Sequence, residues 1–244
     1  MKNMLRLASL AGLLALANCT VSQMAVAPEF QQTAAELPVS GRKVLKPNGN
    51  FQIGGYTVAN VHRGWRNLGG FSIFSYNNVR AKQQYEFSLQ DGEGSEWYVF
   101  GASKLNEKSL MSNTGVTIDV APNMEYYACH FTSPESGQWH LLTMDPGQYL
   151  ERKKFKGELS NRSTTYTIAP VYRFAGGGLP MSDVVGYEFK NGDAVVATVQ
   201  VINNGKVWVS PKLAPDARMV LVSGMASLLL YEKLNETVAG FEFN

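Results

Sequence analysis

The stretch Ala214–Lys233, APDARMVLVSGMASLLLYEK, constrains this chain more than any other. From Met219 to Tyr231 it carries no charge, and nearly every position is apolar or small. Pro215 suits the first turn of a helix, and Asp216 sets a carboxylate near the positive end of the helix dipole. The pattern predicts a helix over about 215–232. A helix crossing a bilayer core takes about twenty apolar residues, so this one is too short to span. A helix that is oily on all sides and does not span must be surrounded by protein. Ser223, Gly224, Ala226 and Ser227 let a wall approach closely, while Met219, Leu221, Met225, Leu228, Leu229 and Leu230 fill wider gaps.

The wall comes from the preceding residues. FQIGGYTVANV, GGFSIFSYNNV, QQYEFSLQD, SEWYVFGAS, GVTIDVA, MEYYACHFT, GQWHLLTM, YLERKKFKGEL, STTYTIAPVYRF, VVGYEFKNGD, AVVATVQVINNG and KVWVSP follow one another from Phe51. Each is short, rich in aromatic and β-branched residues, and bounded by Gly, Asn or Asp, which is the strand signature. ASKLNEKSLM is the exception and reads as a short helix. Asn191-Gly192 and Asn204-Gly205 are tight-turn signals, because both residue types tolerate positive φ; they make residues 184–210 a three-stranded meander. The final TVAGFEF suits a returning wall strand. The predicted fold is mainly β: an antiparallel barrel of about 11–12 strands wrapped around one buried C-terminal helix. The alternative is a β-sandwich covered by that helix.

The N-terminus has a different character. MKNMLR supplies Lys2 and Arg6, and LASLAGLLALA a short apolar run, the layout of a secretory signal peptide. Leu16-Ala17-Asn18-Cys19 then resembles the lipobox of bacterial lipoproteins. The resemblance implies lipid attachment at Cys19 with cleavage before it, a membrane anchor, and a place in the bacterial cell envelope at the outer membrane. Asn18 departs from the usual small residue. Ordinary cleavage after Ala17, giving a soluble secreted or periplasmic protein, is the alternative. Residues 19–48 have scattered apolar positions, three prolines and no sustained period, and read as an acylated N-terminus and flexible tether, part of which could lie on the domain as an irregular strand. The expected organisation is therefore a signal peptide over 1–18, the tether over 19–48, and one β-rich domain over 49–244.

The strand count, the meander VVATVQV…KVWVSP and the short Asp-initiated hydrophobic helix together resemble the Tubby C-terminal-like fold. Phospholipid scramblases and LURP-one-related proteins share it, a barrel threaded by its own helix. The resemblance covers residues 184–233 by pattern and the earlier strands by count alone. No catalytic or ligand motif of those families is present to carry over.

Chemistry is sparse. A formal net charge of +2 gives no argument for nucleic acid. No nucleophile elbow, phosphate loop or zinc motif occurs, and nothing implies a cofactor; Gly176-Gly177-Gly178 reads as a loop. With Cys19 acylated, Cys129 lacks a partner and reads as a small buried hydrophobe. If the hairpin around SPESG pairs Thr132 with Gln138, His130 faces His140. Two imidazoles fall short of the three or four ligands a zinc site needs, so solvated histidines are preferred to a metal. Arg152, Lys154 and Lys156 would share one face of a strand, with Phe155 opposite, as a contact for an anionic ligand or as a solvated edge. His62, Arg63, Trp65 and Arg66 form a second basic-aromatic patch in an expected loop. Asp91, Glu93, Glu96 and Asp145 show no pairing. These features point to a non-catalytic envelope lipoprotein presenting a rigid barrel surface to a protein or lipid partner. The alternatives are a hydrolase acting on an envelope polymer through dispersed acidic residues, and a barrel that handles phospholipid.

Overall fold

The computed structural model describes residues 22–43, 48–64, 83–105, 110–111, 117–118, 124–134, 137–146 and 149–231. Twelve antiparallel strands close a barrel. They are β1 (Ala35–Ser40), β2 (Phe51–Ile53), β3 (Tyr56–Arg63), β4 (Gln83–Gln90), β5 (Glu96–Leu105), β8 (Glu125–Ser133), β9 (Gly137–Asp145), β10 (Lys156–Ser160), β11 (Thr165–Val171), β12 (Gly186–Asn191), β13 (Ala194–Gln200) and β14 (Lys206–Val209). The short β6 (Leu110–Met111) and β7 (Thr117–Ile118) pair only with each other. Around the barrel the order is β1-β14-β13-β12-β11-β10-β9-β8-β5-β4-β3-β2. Closure leaves no unpaired edge among these strands, and excludes the sandwich.

Helix α2 (Pro215–Leu230) threads this barrel. Every residue from Met219 to Leu230 is buried. The helix packs on β13 on one side and on β5 and β8, which lie across the ring, on the other. The small residues act as expected: a Cβ on Gly224 would sit against Leu159, Phe189 and Leu141, so the wall comes close there. The two hydroxyls in this apolar setting bond back to their own helix. Ser223 Oγ donates to the Met219 carbonyl and Ser227 Oγ to the Ser223 carbonyl, both at 3.0 Å, which satisfies them without a neighbour.

The meander over β12, β13 and β14 forms as expected. Gly192 supplies a φ of 60° in its first turn; in the second, positive φ falls on Asn203 (55°) and Gly205 (89°). FQIGGYTVANV is a hairpin of two strands, turned at Gly54-Gly55, instead of one run. ASKLNEKSLM holds no helix among its described residues: Ala102–Leu105 continues β5, and Leu110–Met111 is β6.

The expected tether is corrected most. Residues 22–40 belong to the domain. α1 (Pro28–Thr33) lies on the outer wall, where Met24, Val26 and Phe30 pack with Val185 and Trp208. β1 then pairs with both β14 and β2. The domain thus starts well before residue 49, and the strand that shuts the barrel comes from the expected tether, as the part of it expected to lie on the domain as a strand. Composition misled because β1, AELPVS, is short, contains a proline and has no fully buried residue. The expected signal segment, Cys19, Trp65, Arg66, GGFSIFSYNNV and TVAGFEF lie outside the described residues.

Candidate functional site

The two ends of the barrel differ. At one end, the hairpin rim, the strands β2–β3, β4–β5, β10–β11 and β12–β13 are joined by short turns, and α2 begins there at Pro215. At the other, the loop rim, lie the long connections and the C-terminal end of α2. Loops positioned by a rigid scaffold are where binding groups concentrate.

The helix end at the loop rim carries exposed dipole charge and no basic residue of its own in the last turn. Two arginines supply it from the wall. Arg42 donates to the Leu229 carbonyl at 2.8 Å and to the Asn203 carbonyl at 3.1 Å. Arg63 donates to the Leu230 carbonyl at 2.5 Å, its guanidinium 5.6 Å over the Tyr85 ring. Cations at a helix C-terminus are stabilising. One turn deeper, the Ser227 carbonyl accepts from Tyr85 at 2.7 Å, Tyr127 at 2.9 Å and the Tyr231 backbone N–H at 2.9 Å. Tyr231 stacks on Tyr127 at 4.3 Å. Burial holds the Tyr85 and Tyr231 hydroxyls well above the ordinary tyrosine range. Cys129 lies in this cluster, its thiol 3.7 Å from Tyr85 Oη and pushed by burial up to about 12. It is the small buried hydrophobe expected.

Asp145 is not isolated. It stands directly opposite Glu125 across β8 and β9, and both face inward near Tyr231, at 3% and 1% exposure. Glu125 escaped the sequence reading because it sits at the start of an aromatic strand. Asp91, Glu93 and Glu96 lie far from that pair, at the β4–β5 turn, where Asp91 accepts the Glu93 and Ser95 backbone N–H groups.

The hairpin register is as expected. Thr132 pairs with Gln138, and His130 stands opposite His140 on the outer wall, their Nδ1 atoms 3.3 Å apart. Burial lowers both imidazole pKa values, and His140 lowers that of His130 further. His62 joins the same row: it pairs with Glu86, Glu86 with Phe100, and Phe100 with His130. A bulge in β3, with Asn60 at φ 56°, reverses the alternation. His62 therefore faces outward from a strand while Arg63 faces inward, where a loop patch was expected. Among the described residues no group of three or more His, Cys, Asp or Glu side chains could hold a metal.

The basic run departs from expectation. Tyr149–Lys154 is a 3-10 helix on the loop rim, and only Lys156 lies in a strand, β10. Arg152, Lys154 and Lys156 therefore share no strand face. With three residues per turn, positions i and i+3 stack; Glu151 pairs with Lys154 at 2.8 Å, and Leu150 shares a face with Lys153. Phe155 does turn into the core, its ring 6.1 Å from Tyr187.

No protein-family model matches the chain, and neither a curated protein nor a solved structure matches it.

Proposed function

We propose that this chain is a non-catalytic cell-envelope lipoprotein, anchored through Cys19, that presents the rim of a rigid barrel to a lipid or protein partner. The observation that carries this reading is the buried run Met219–Leu230. A barrel filled by its own helix has no lumen for a small ligand, so contact with a partner falls to the outer wall and the rims. No described helix is long and apolar enough to cross a membrane, and the lipobox-like Leu16–Cys19 supplies an attachment instead. The hydrolase alternative draws on one feature, the opposed carboxylates of Glu125 and Asp145. Their burial withholds them from a polymeric substrate. Phospholipid handling rests on the Tubby C-terminal-like resemblance and draws on the basic groups of the loop rim.

Growth of cells expressing the full chain with labelled fatty acid tests the anchor. Label is expected in the wild-type protein and in its membrane fraction, and in neither for Cys19→Ser. Label persisting in Cys19→Ser removes the anchor.

A further inference from the structure

The segment leading from Cys19 is fastened to the barrel almost at once. Asn203 Nδ2 donates to the Ser22 carbonyl at 3.0 Å. The Ala175 N–H donates to the Gln23 carbonyl at 2.8 Å, the Met24 N–H to Gln200 Oε1 at 2.8 Å, and the Ala25 N–H to the Arg173 carbonyl at 2.8 Å. Asn203, Ala175, Gln200 and Arg173 all belong to the loop rim. Three residue steps separate Cys19 from Ser22, a reach of at most about 11 Å for an extended chain. A lipid on Cys19 leaves no room for a long tether and brings the loop rim to the membrane.

The surface of that rim fits such a place. Among the described residues, four large hydrophobics are exposed: Leu150, Leu179, Met181 and Tyr98. Three of them are on the loop rim. Leu150 is 85% exposed on the 3-10 helix; Leu179 at 90% and Met181 at 38% follow Gly176-Gly177-Gly178 between β11 and β12. Exposed cations flank them: Lys43, Arg152, Lys153, Lys154, Lys156 and Arg173, against the exposed acids Glu151 and Asp183. The hairpin rim lacks that excess: among the described residues its exposed charges are Glu93, Asp193 and Asp216 against Arg162 and Lys212, with Asp91 and Arg218 half-buried beside them.

We propose that the loop rim docks on the anionic head groups of the membrane that holds the anchor, with Leu150, Leu179 and Met181 seated at the head-group boundary and the surrounding lysines and arginines above them. This orientation rests on the anchor reading for its starting point, but the surface is testable without it. Apolar side chains set among basic ones are the composition that binds an anionic interface.

The test uses soluble, unacylated Cys19→Ser protein and vesicles of phosphatidylglycerol in phosphatidylcholine, with pure phosphatidylcholine as control. Flotation is expected to give binding to the anionic vesicles that falls with salt. Lys153→Gln and Lys156→Gln should each weaken it roughly fivefold, and Leu150→Ser with Leu179→Ser should weaken it further. Lys212→Gln and Arg162→Gln on the opposite rim should leave it unchanged. All six positions are exposed or partly so, and a thermal melt confirms each variant is folded. An environment-sensitive dye on Leu179→Cys should shift to the blue on the anionic vesicles, whereas the same dye on Arg162→Cys should not; buried Cys129 stays unlabelled. No binding, binding indifferent to the loop-rim changes, or equal dye shifts at the two ends each overturns the assignment. Fatty-acid labelling of Cys19 is read separately, so failure of the anchor and failure of the docking surface are told apart.

Discussion

His130 and His140 face each other across β8 and β9 with Nδ1 atoms 3.3 Å apart and ring centres 4.8 Å apart. The contact requires one ring to donate and the other to accept, and His130 Nε2 meets Thr132 Oγ1 at 3.2 Å. Both demands are met by two neutral rings. A second proton would set two N–H donors head-on.

Both pKa values lie below the ordinary 6.5. Between the native and unfolded values the unfolded chain binds more protons, so stability rises with pH there. The contribution is complete above about pH 6.5 and is lost as acid drives the pH down through the lowered native values. Melting temperatures measured from about pH 7.5 down to about pH 5, across the ordinary histidine value, should fall further for wild type than for His130→Gln/His140→Gln. Parallel curves would mean the pair does not couple folding to protons.

Strand composition and the uncharged helix were enough to read a barrel with its axis filled, and the SPESG loop fixed the histidine register. What escaped was set by long-range partners. β1 is held by β14, 168 to 174 positions away in its paired residues, and no local pattern reports that. The bulge at Asn60 reversed an alternation that otherwise places His62 inward. Arg42 caps a helix 187 residues distant. The 3-10 turn at Tyr149–Lys154 carries a charge pattern that serves a strand edge equally well.

Cys129 should be chemically silent in the native protein. Its thiol is pushed up to about 12 by burial, and the thiolate is the reactive form. A maleimide at mildly alkaline pH should label it only after denaturation. Rapid labelling of folded Cys19→Ser protein would mean the cluster around Ser227 opens. Tyr85→Phe and Tyr127→Phe each remove one bond to the Ser227 carbonyl and should cost about 0.5–1.5 kcal/mol in denaturant titrations. The carbonyl keeps the Tyr231 backbone N–H in either single variant and in the double, so the double variant should cost no more than the sum, about 1–3 kcal/mol.

A chain starting at Gly49 lacks β1 and leaves β2 and β14 with open edges. Such edges invite pairing with other chains. Aggregation or a non-cooperative melt is expected, and a melt matching the full protein would remove β1 as the closing strand. A chain starting at Ala34 keeps β1 but loses Met24, Val26 and Phe30 from the outer cluster. It should fold with a lower melting temperature. Gly186→Ala should act in the same direction within the full chain, since its Cβ meets Met24 Sδ and the Val199 carbonyl; overpacking of this kind costs about 1–3 kcal/mol.

Leu229 decides whether the helix is a core or a cover. It is 2% exposed, and a Cβ on Gly205 would touch its Cδ2. Leu229→Ala should lose about 2–5 kcal/mol, the transfer of the side chain plus the cavity it leaves. Leu229→Asp places a carboxylate where burial of an unpaired charge is far more costly, and the domain should not fold. The outcome separates two positions on the same helix: Asp216, in the exposed first turn, should accept Asp216→Asn with a change of no more than about 1 kcal/mol, the size of a charge–dipole contact. Soluble, cooperatively melting Leu229→Asp protein would contradict burial of the helix, and with it the filled barrel on which the proposed rim contact rests.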